Sequence, residues 1–299
     1  MDDTTNKLLH EPVMVEEVLD YLRPQPGQII LDGTVGNGGH AGRIMGKISP
    51  DGLLIGIDKD MEILQIAKQY LSKVGCLFKL YHADYSDVDE VLRQAGVERV
   101  HGVLLDLGAS SLQFDQAERG FSFSKEGPLD MRMDRSRGGT AQDLIRRLSA
   151  KEMEELLKKY GEERWSVRIA RAIRKEADAG GITSTRQLAG IIERVVPGGK
   201  SKIHPATRVF QALRIVVNRE LESLEVFLGK IHNYMETGAR IVIISFHSLE
   251  DRIVKSTFAE RADQKIFRIL TKKPVTPGEV EIERNVRCRS AKLRAAERI

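Results

Sequence analysis

The densest run of chemically capable residues is Asp32-Gly33-Thr34-Val35-Gly36-Asn37-Gly38-Gly39-His40, which follows an apolar stretch and opens a helical pattern. Glycines at a strand-to-helix turn let the backbone reach a ligand, because no Cβ stands in the way. Gly36, Gly38 and Ala41 also satisfy G-x-G-x-x-A, so a dinucleotide site competes, although that pattern alone is weak. Charge favours a different nucleoside. Asp32, at the end of its strand, repels a pyrophosphate but suits the ammonium and sulfonium charges of S-adenosylmethionine. No Lys follows the glycines in the manner of a P-loop. Asp58, at the end of the next apolar run, is placed for a ribose diol in either reading. His82-Ala83-Asp84-Tyr85 closes the third run, with Asp84 placed to take an adenine amino proton and Tyr85 to flank the ring. A packing role for Tyr85 as a half-buried loop aromatic is equally open.

A fourth apolar run ends in Leu104-Leu105-Asp106-Leu107-Gly108-Ala109-Ser110-Ser111-Leu112-Gln113. Ligands of open α/β sheets bind outside the carboxyl ends of the strands, which puts Asp106 beside the glycine loop. With Gln113 it offers acceptors near a transferable methyl group; the alternative for Asp106 is a cap on the following turn. Methylation at carbon-5 of a pyrimidine needs a Cys nucleophile, and Cys76 and Cys288 lie in no strand-end loop of that kind. Direct transfer to nitrogen or oxygen remains. Ser245-Phe246-His247-Ser248 ends a later strand on the same side, making His247 a candidate catalytic or substrate contact against an ordinary structural role.

These residues need a scaffold that brings strand ends together. Strands are predicted over 28–31, 53–57, 77–81 and 100–107, with helices over 61–73 and 88–94 between them. That alternation reads as a parallel α/β sheet. From 140 to 197 the strand signal gives way to capping boxes at Thr140–Asp143, Ser149–Glu152 and Ser184–Gln187, hence to several short helices. A long amphipathic helix around 213–234 then precedes a strand at 240–245. A catalytic domain made of 1–114 and 216–299, interrupted by a helical domain at 115–215, accounts for this order.

Among 299 residues, 41% are hydrophobic and 30% charged, with no apolar run long enough to span a bilayer and no secretory leader, so a soluble, cytoplasmic protein is expected. The two distant cysteines imply neither a disulfide framework nor a zinc site, and no metal is expected. The net charge of +4 hides an uneven distribution: residues 131–219 hold 20 Lys and Arg against 10 Asp and Glu, and residues 261–299 hold 11 against 5. Basic middle and tail segments beside an acidic remainder point to a polyanionic partner. They disfavour an oxidoreductase, whereas the set Asp32, Asp58 and Asp106 disfavours a merely RNA-binding factor.

Taken in order, His10-Glu-Pro-Val13, Asp32 to His40, Asp106-Leu-Gly-Ala-Ser-Ser111, Arg119-Gly-Phe-Ser-Phe123, Gly127-Pro-Leu-Asp-Met-Arg-Met-Asp134, His204-Pro-Ala-Thr-Arg208 and Ser245-Phe-His-Ser-Leu-Glu-Asp-Arg252 closely resemble the bacterial small-subunit ribosomal RNA cytosine-N4 methyltransferases, the methyltransferase H family. The resemblance extends to Ala295-Ala-Glu-Arg298. It implies a class I Rossmann-like fold with an inserted helical domain, and methylation of the exocyclic N4 of a cytidine in the decoding region of 16S rRNA. It implies donor contacts at Gly38, Gly39, His40, Asp58, Tyr85, Asp106 and Gln113, to which the loop reading adds Asp32, Gly36 and Asp84. The partner is 16S rRNA or the assembled small subunit, with monomer and homodimer both open. The family often has Phe where Tyr85 stands, and the Asn/Asp-Pro-Pro-Tyr/Phe loop of other amino methyltransferases is replaced by Asp106-Leu107-Gly108. Arg119, Phe121, Phe123 and Arg132 form an aromatic and cationic segment suited to an extruded base and its phosphates, or else insert core. His204 and Arg208 are candidate RNA contacts, or a helix cap; Trp165 reads as core.

Overall fold

Short apolar segments separated by glycine and Asx turns become the strands of one seven-stranded sheet in the computed structural model, which describes residues 12–197 and 204–299. His10 and Glu11 of the first motif lie outside those residues. The strands are β1 (Ile29–Asp32), β2 (Leu53–Asp58), β3 (Leu77–His82), β4 (Val100–Asp106), β5 (Met235–Ser245), β6 (Phe267–Ile269) and β7 (Lys292–Arg298). Their spatial order is β3-β2-β1-β4-β5-β7-β6. The first five run parallel; β7 and β6 return antiparallel. Order reverses between β1 and β4, so the crevice at their carboxyl ends is the topological switch point.

The near-continuous apolar runs have the burial that parallel strands require. Leu31, Ile55, Val103 and Ile241 face α4 (Val88–Ala95), α11 (Glu220–Lys230) and α12 (Ser248–Asp263). Their neighbours Ile30, Leu54, Leu104 and Val242 face α1 (Val15–Leu22), α2 (Gly39–Ile48) and α3 (Met61–Leu71). Each such side chain, fully withdrawn from water, contributes about 1.5–3 kcal/mol. Residues 240–245 alone were expected as a strand; it begins at Met235 because Val100 pairs with Met235 across a register shift.

The chain separates into two units. One joins the described residues up to Gly108 to Leu221–Ile299 and holds the whole sheet; the other is Ala109–Glu220. The second unit is helical: α5 (Ser111–Asp115), α6 (Ala141–Arg147), α7 (Ala150–Gly161), α8 (Ser166–Ala179), α9 (Thr185–Val195) and α10 (Ala206–Asn218) enclose a core that includes Leu157, Ile169, Ile173, Leu188 and Leu213. Thr140 and Ser149 form complete capping boxes. At Ser184 only half the box forms: its hydroxyl accepts the Gln187 amide, but the Gln187 side chain turns to the Thr183 amide. The long helix expected over 213–234 is broken. Arg219 adopts a left-handed φ of 52°, and α10 ends at Asn218, whose amide donates to Met131 O and accepts from Met133 N. Arg214 and Glu220 pair bidentately across the break, at 2.9 Å in both contacts. Among the described residues, no helix is long and apolar enough to cross a membrane.

Candidate active site

Asp32 closes β1 and is 1% exposed. Its Oδ1 accepts the Thr34 amide at 3.1 Å, whereas Oδ2 is buried with no protein partner. Gly33 follows because a Cβ there would meet the Leu105 side chain at 2.4 Å. Thr34 stitches the loop to the next strand: its Oγ1 accepts the Asp106 amide at 2.6 Å. Gly38, with a φ of 88°, turns the chain into α2 in a conformation that side chains resist. Gly36 donates its amide to Asp58 Oδ2 at 2.9 Å, and Asp60 donates to Oδ1, so the end of β2 is fixed against the loop while each oxygen keeps a lone pair. Gly39 and His40 open the first turn of α2.

His40 is buried, and its Nε2 stands 3.6 Å from Asp106 Oδ2; neither ring nitrogen has a hydrogen-bond partner. Asp106, at the end of β4, is 25% exposed in its side chain, and its Oδ1 has no partner. It accepts no amide of the following turn. The cap there is Ser110, so the capping alternative for Asp106 is removed. Burial pushes Asp32 up to about 7, helped by the neighbouring Asp106 and Asp58 carboxylates and opposed by His40 and the Thr34 amide. Burial likewise raises Asp58 to about 6, against the amides of Asp60 and Gly36. Three carboxylates and two unpartnered oxygens within one strand-end crevice form a site whose missing complement is cationic and hydrogen-bond donating.

Other expected residues are placed differently. Asp84 is largely engaged within the protein: Oδ2 meets Lys59 Nζ at 2.7 Å and the Ser223 hydroxyl at 2.7 Å, and Oδ1 accepts the Ser86 amide. Burial alone would raise Asp84, but Lys59 together with the hydrogen bonds from Ser86 and Ser223 outweighs it and holds the group below its usual range. Tyr85 is buried, edge-on to Phe227 at 5.6 Å, with Lys59 Nζ 5.6 Å from its ring. His247 caps α12. Its Nδ1 accepts the Glu250 amide and its Nε2 lies 3.2 Å from Glu250 Oε1 without a hydrogen bond, which is the structural role weighed against a catalytic or substrate contact.

The remaining candidates belong to the helical unit. Gln113 completes a capping box, its Oε1 accepting the Ser110 amide at 3.0 Å. Arg119, expected at an RNA surface, is only 1% exposed and donates to the Arg132 and Met133 carbonyls at 3.1 Å each. Phe121 is buried beside Phe114, and Phe123 stacks on His204 at 4.4 Å, so these rings build the insert rather than stand free for a base. Arg132 makes a bidentate pair with Asp130 and donates to the Arg135 and Gly138 carbonyls, which neutralises its charge within its own loop. His204 accepts the Ala206 amide and meets Glu193 at 2.8 Å, the capping alternative. Arg208 is exposed and only loosely held, 3.9 Å from Glu163. Sequence reasoning missed Thr34, Lys59, Ser223 and Glu250. A hydroxyl inside the glycine loop was a signal for Thr34, and the three-residue spacing of His247 and Glu250 was one for Glu250; Lys59 and Ser223 act over long sequence separations and leave none.

The family model described as the MraW methylase family matches residues 7–299. The chain is 47% identical to a ribosomal RNA small subunit methyltransferase H from Trichlorobacter lovleyi, over 97% of this chain and 98% of that one. It is 48% identical to a protein of the same name from Geobacter sulfurreducens, over 97% and 99%. A solved structure titled a putative rRNA methylase from Clostridium thermocellum is 13% identical with a TM-score of 0.49, covering 97% of this chain and all of that one.

Proposed function

Because the chain belongs to the MraW methylase family, we propose that it is an S-adenosylmethionine-dependent methyltransferase acting on the exocyclic N4 of a cytidine in the decoding region of 16S rRNA. The donor assignment rests on the buried carboxylate crevice, in which Asp32 Oδ2 has no protein partner. Bound there, the donor supplies a methyl group activated by its sulfonium. Asp32 takes the ammonium of such a cation and Asp58 its ribose hydroxyls through the lone pairs left free. Gly38 and Gly39 supply close backbone. The names of the relatives favour ribosomal RNA as the acceptor.

The thiols favour nitrogen over carbon. Cys76 precedes β3 at the amino end of the sheet, Cys288 is buried, and desolvation raises the pKa of both, so neither is a nucleophile at the crevice. An exocyclic amine has its lone pair delocalised into the ring. Asp106 Oδ1, accepting an amine N–H, localises that pair for attack and receives the proton that leaves.

Asp106→Asn tests this. Losing a charged acceptor in a dry site lowers single-turnover transfer by about 2–4 kcal/mol, roughly 30- to 1000-fold, while donor affinity holds. The substrate is small subunits from cells lacking the enzyme, and the label is read as N4-methylcytidine by nucleoside analysis. Label in any other nucleoside, or a wild-type rate in the variant, overturns the assignment.

A further inference from the structure

Trp165, read as core from the sequence, packs against the core of the helical unit but is only partly buried, and the Arg164 and Arg168 guanidiniums lie over its ring at 4.7 and 5.1 Å from the centroid. It stands at the start of α8, fixed by its amide donating to Glu163 at 2.8 Å. The inner side of α8 buries Ile169, Ala170 and Ile173. Arg168, Arg171 and Lys175 are exposed on the opposite side, at spacings of three and four that gather them into a stripe roughly 60° wide with charges about 5 Å apart along the axis. The acids on this helix are already engaged: Asp178 pairs with Arg174 and Glu176 with Arg194. Arg168, Arg171 and Lys175 have no ion pair among the described residues. This contrasts with the loop after Asp130, whose arginines are neutralised locally.

We propose that this face of α8, with Trp165, is a contact surface of the helical unit for a single-stranded stretch of the RNA substrate. The inference rests on the RNA reading above. Unpaired cations in a row suit successive phosphates, and an indole beside them suits a base, because every base has a π-face. An exposed cation–π contact is weaker than base-on-indole stacking. A base therefore displaces one guanidinium from the ring, and the released group turns to phosphate. An acidic protein surface would use the cations but has no use for the ring.

Trp165 is the sole tryptophan, so its emission reports on this face alone. Protein-free 16S rRNA added to the full-length protein quenches that emission, and less so as salt rises. In the triple variant R168Q/R171Q/K175Q the slope of log affinity against log salt flattens by about 2, at about 0.7 per lost phosphate contact. Calorimetric binding of S-adenosylmethionine stays at wild-type strength, and an unchanged helical signal and unfolding midpoint show that the variant's helical unit is folded. Unmoved emission and an unchanged slope, in a protein that methylates small subunits, overturn the proposal and leave the activity standing. Quenching by intact subunits but not by protein-free rRNA also overturns it, since the face then docks on protein. Quenching and a flattened slope in a protein that transfers no methyl group support the surface while the activity assignment fails.

Discussion

At the scale of single residues, Asp32 carries a consequence that its neighbours impose. Its carboxyl is held near 7 in the folded chain against an ordinary 3.8, so the native state binds more protons than the unfolded state between those values. Stability from this group is therefore full below about pH 4 and is lost as the pH rises through 7. A cationic donor reverses the preference by holding Asp32 ionised. Below pH 7 its binding must expel a proton, and affinity weakens as the pH falls. Calorimetry at pH 6 in buffers of different ionisation enthalpy reads the proton directly; the release falls in Asp32→Asn to the smaller share from Asp58, and no release from the wild type sinks the linkage. The three strand-end carboxylates were legible because strand ends and glycine turns have local signatures. Arg119 and Phe121 were not, because a guanidinium or ring of the right type for RNA gives no sign that tertiary packing has taken it inside.

Elements are joined by contacts that no local pattern announces. Lys59 after β2, Asp84 after β3 and Ser223 on α11 form one buried network, with Lys59 also near the face of Tyr85. Lys59→Met leaves Asp84 charged and unpaired in a desolvated place, which costs about 2–4 kcal/mol in denaturant unfolding. Adding Asp84→Asn in that background restores part of the loss, because the uncompensated charge disappears. Strictly additive effects of the two substitutions would show that the pair is not coupled. The same distinction explains which elements sequence reading reached. Thr140 and Ser149 mark their helices through contacts three residues apart, and the boxes form. The single helix expected over 213–234 carried a continuous apolar period through Arg219, yet the chain turns there because Asn218 is committed to the backbone of Met131 and Met133, more than eighty residues away. The pairing of β7 with β5 and β6 is equally nonlocal.

For the whole molecule, counting cations located a basic region but not the charges free to act. Arg132 and Arg208 looked alike as phosphate ligands in the sequence. In the fold they differ: Arg132 is paired bidentately to Asp130 and braces two carbonyls, whereas Arg208 is exposed with only two long contacts, to the Glu162 carbonyl at 3.4 Å and to Glu163 at 3.9 Å. A phosphate reaching Arg132 must compete with a carboxylate already in fork geometry, and the counterions released on that exchange are few. Arg208→Gln should therefore flatten the salt dependence of rRNA binding by about 0.7 in the log–log slope, with little change in unfolding midpoint. Arg132→Gln should do the reverse: the slope holds, while the loop loses its brace and the buried Asp130 keeps only the backbone amide of residue 132 and the more distant Arg135, at a cost of about 1–3 kcal/mol. Filter binding of rRNA across a salt series, run beside thermal melts of both variants, separates the two. A flattened slope in Arg132→Gln with an unmoved melt would mean that RNA strips the guanidinium from Asp130, and that the loop after Asp130 opens onto the substrate instead of closing on itself.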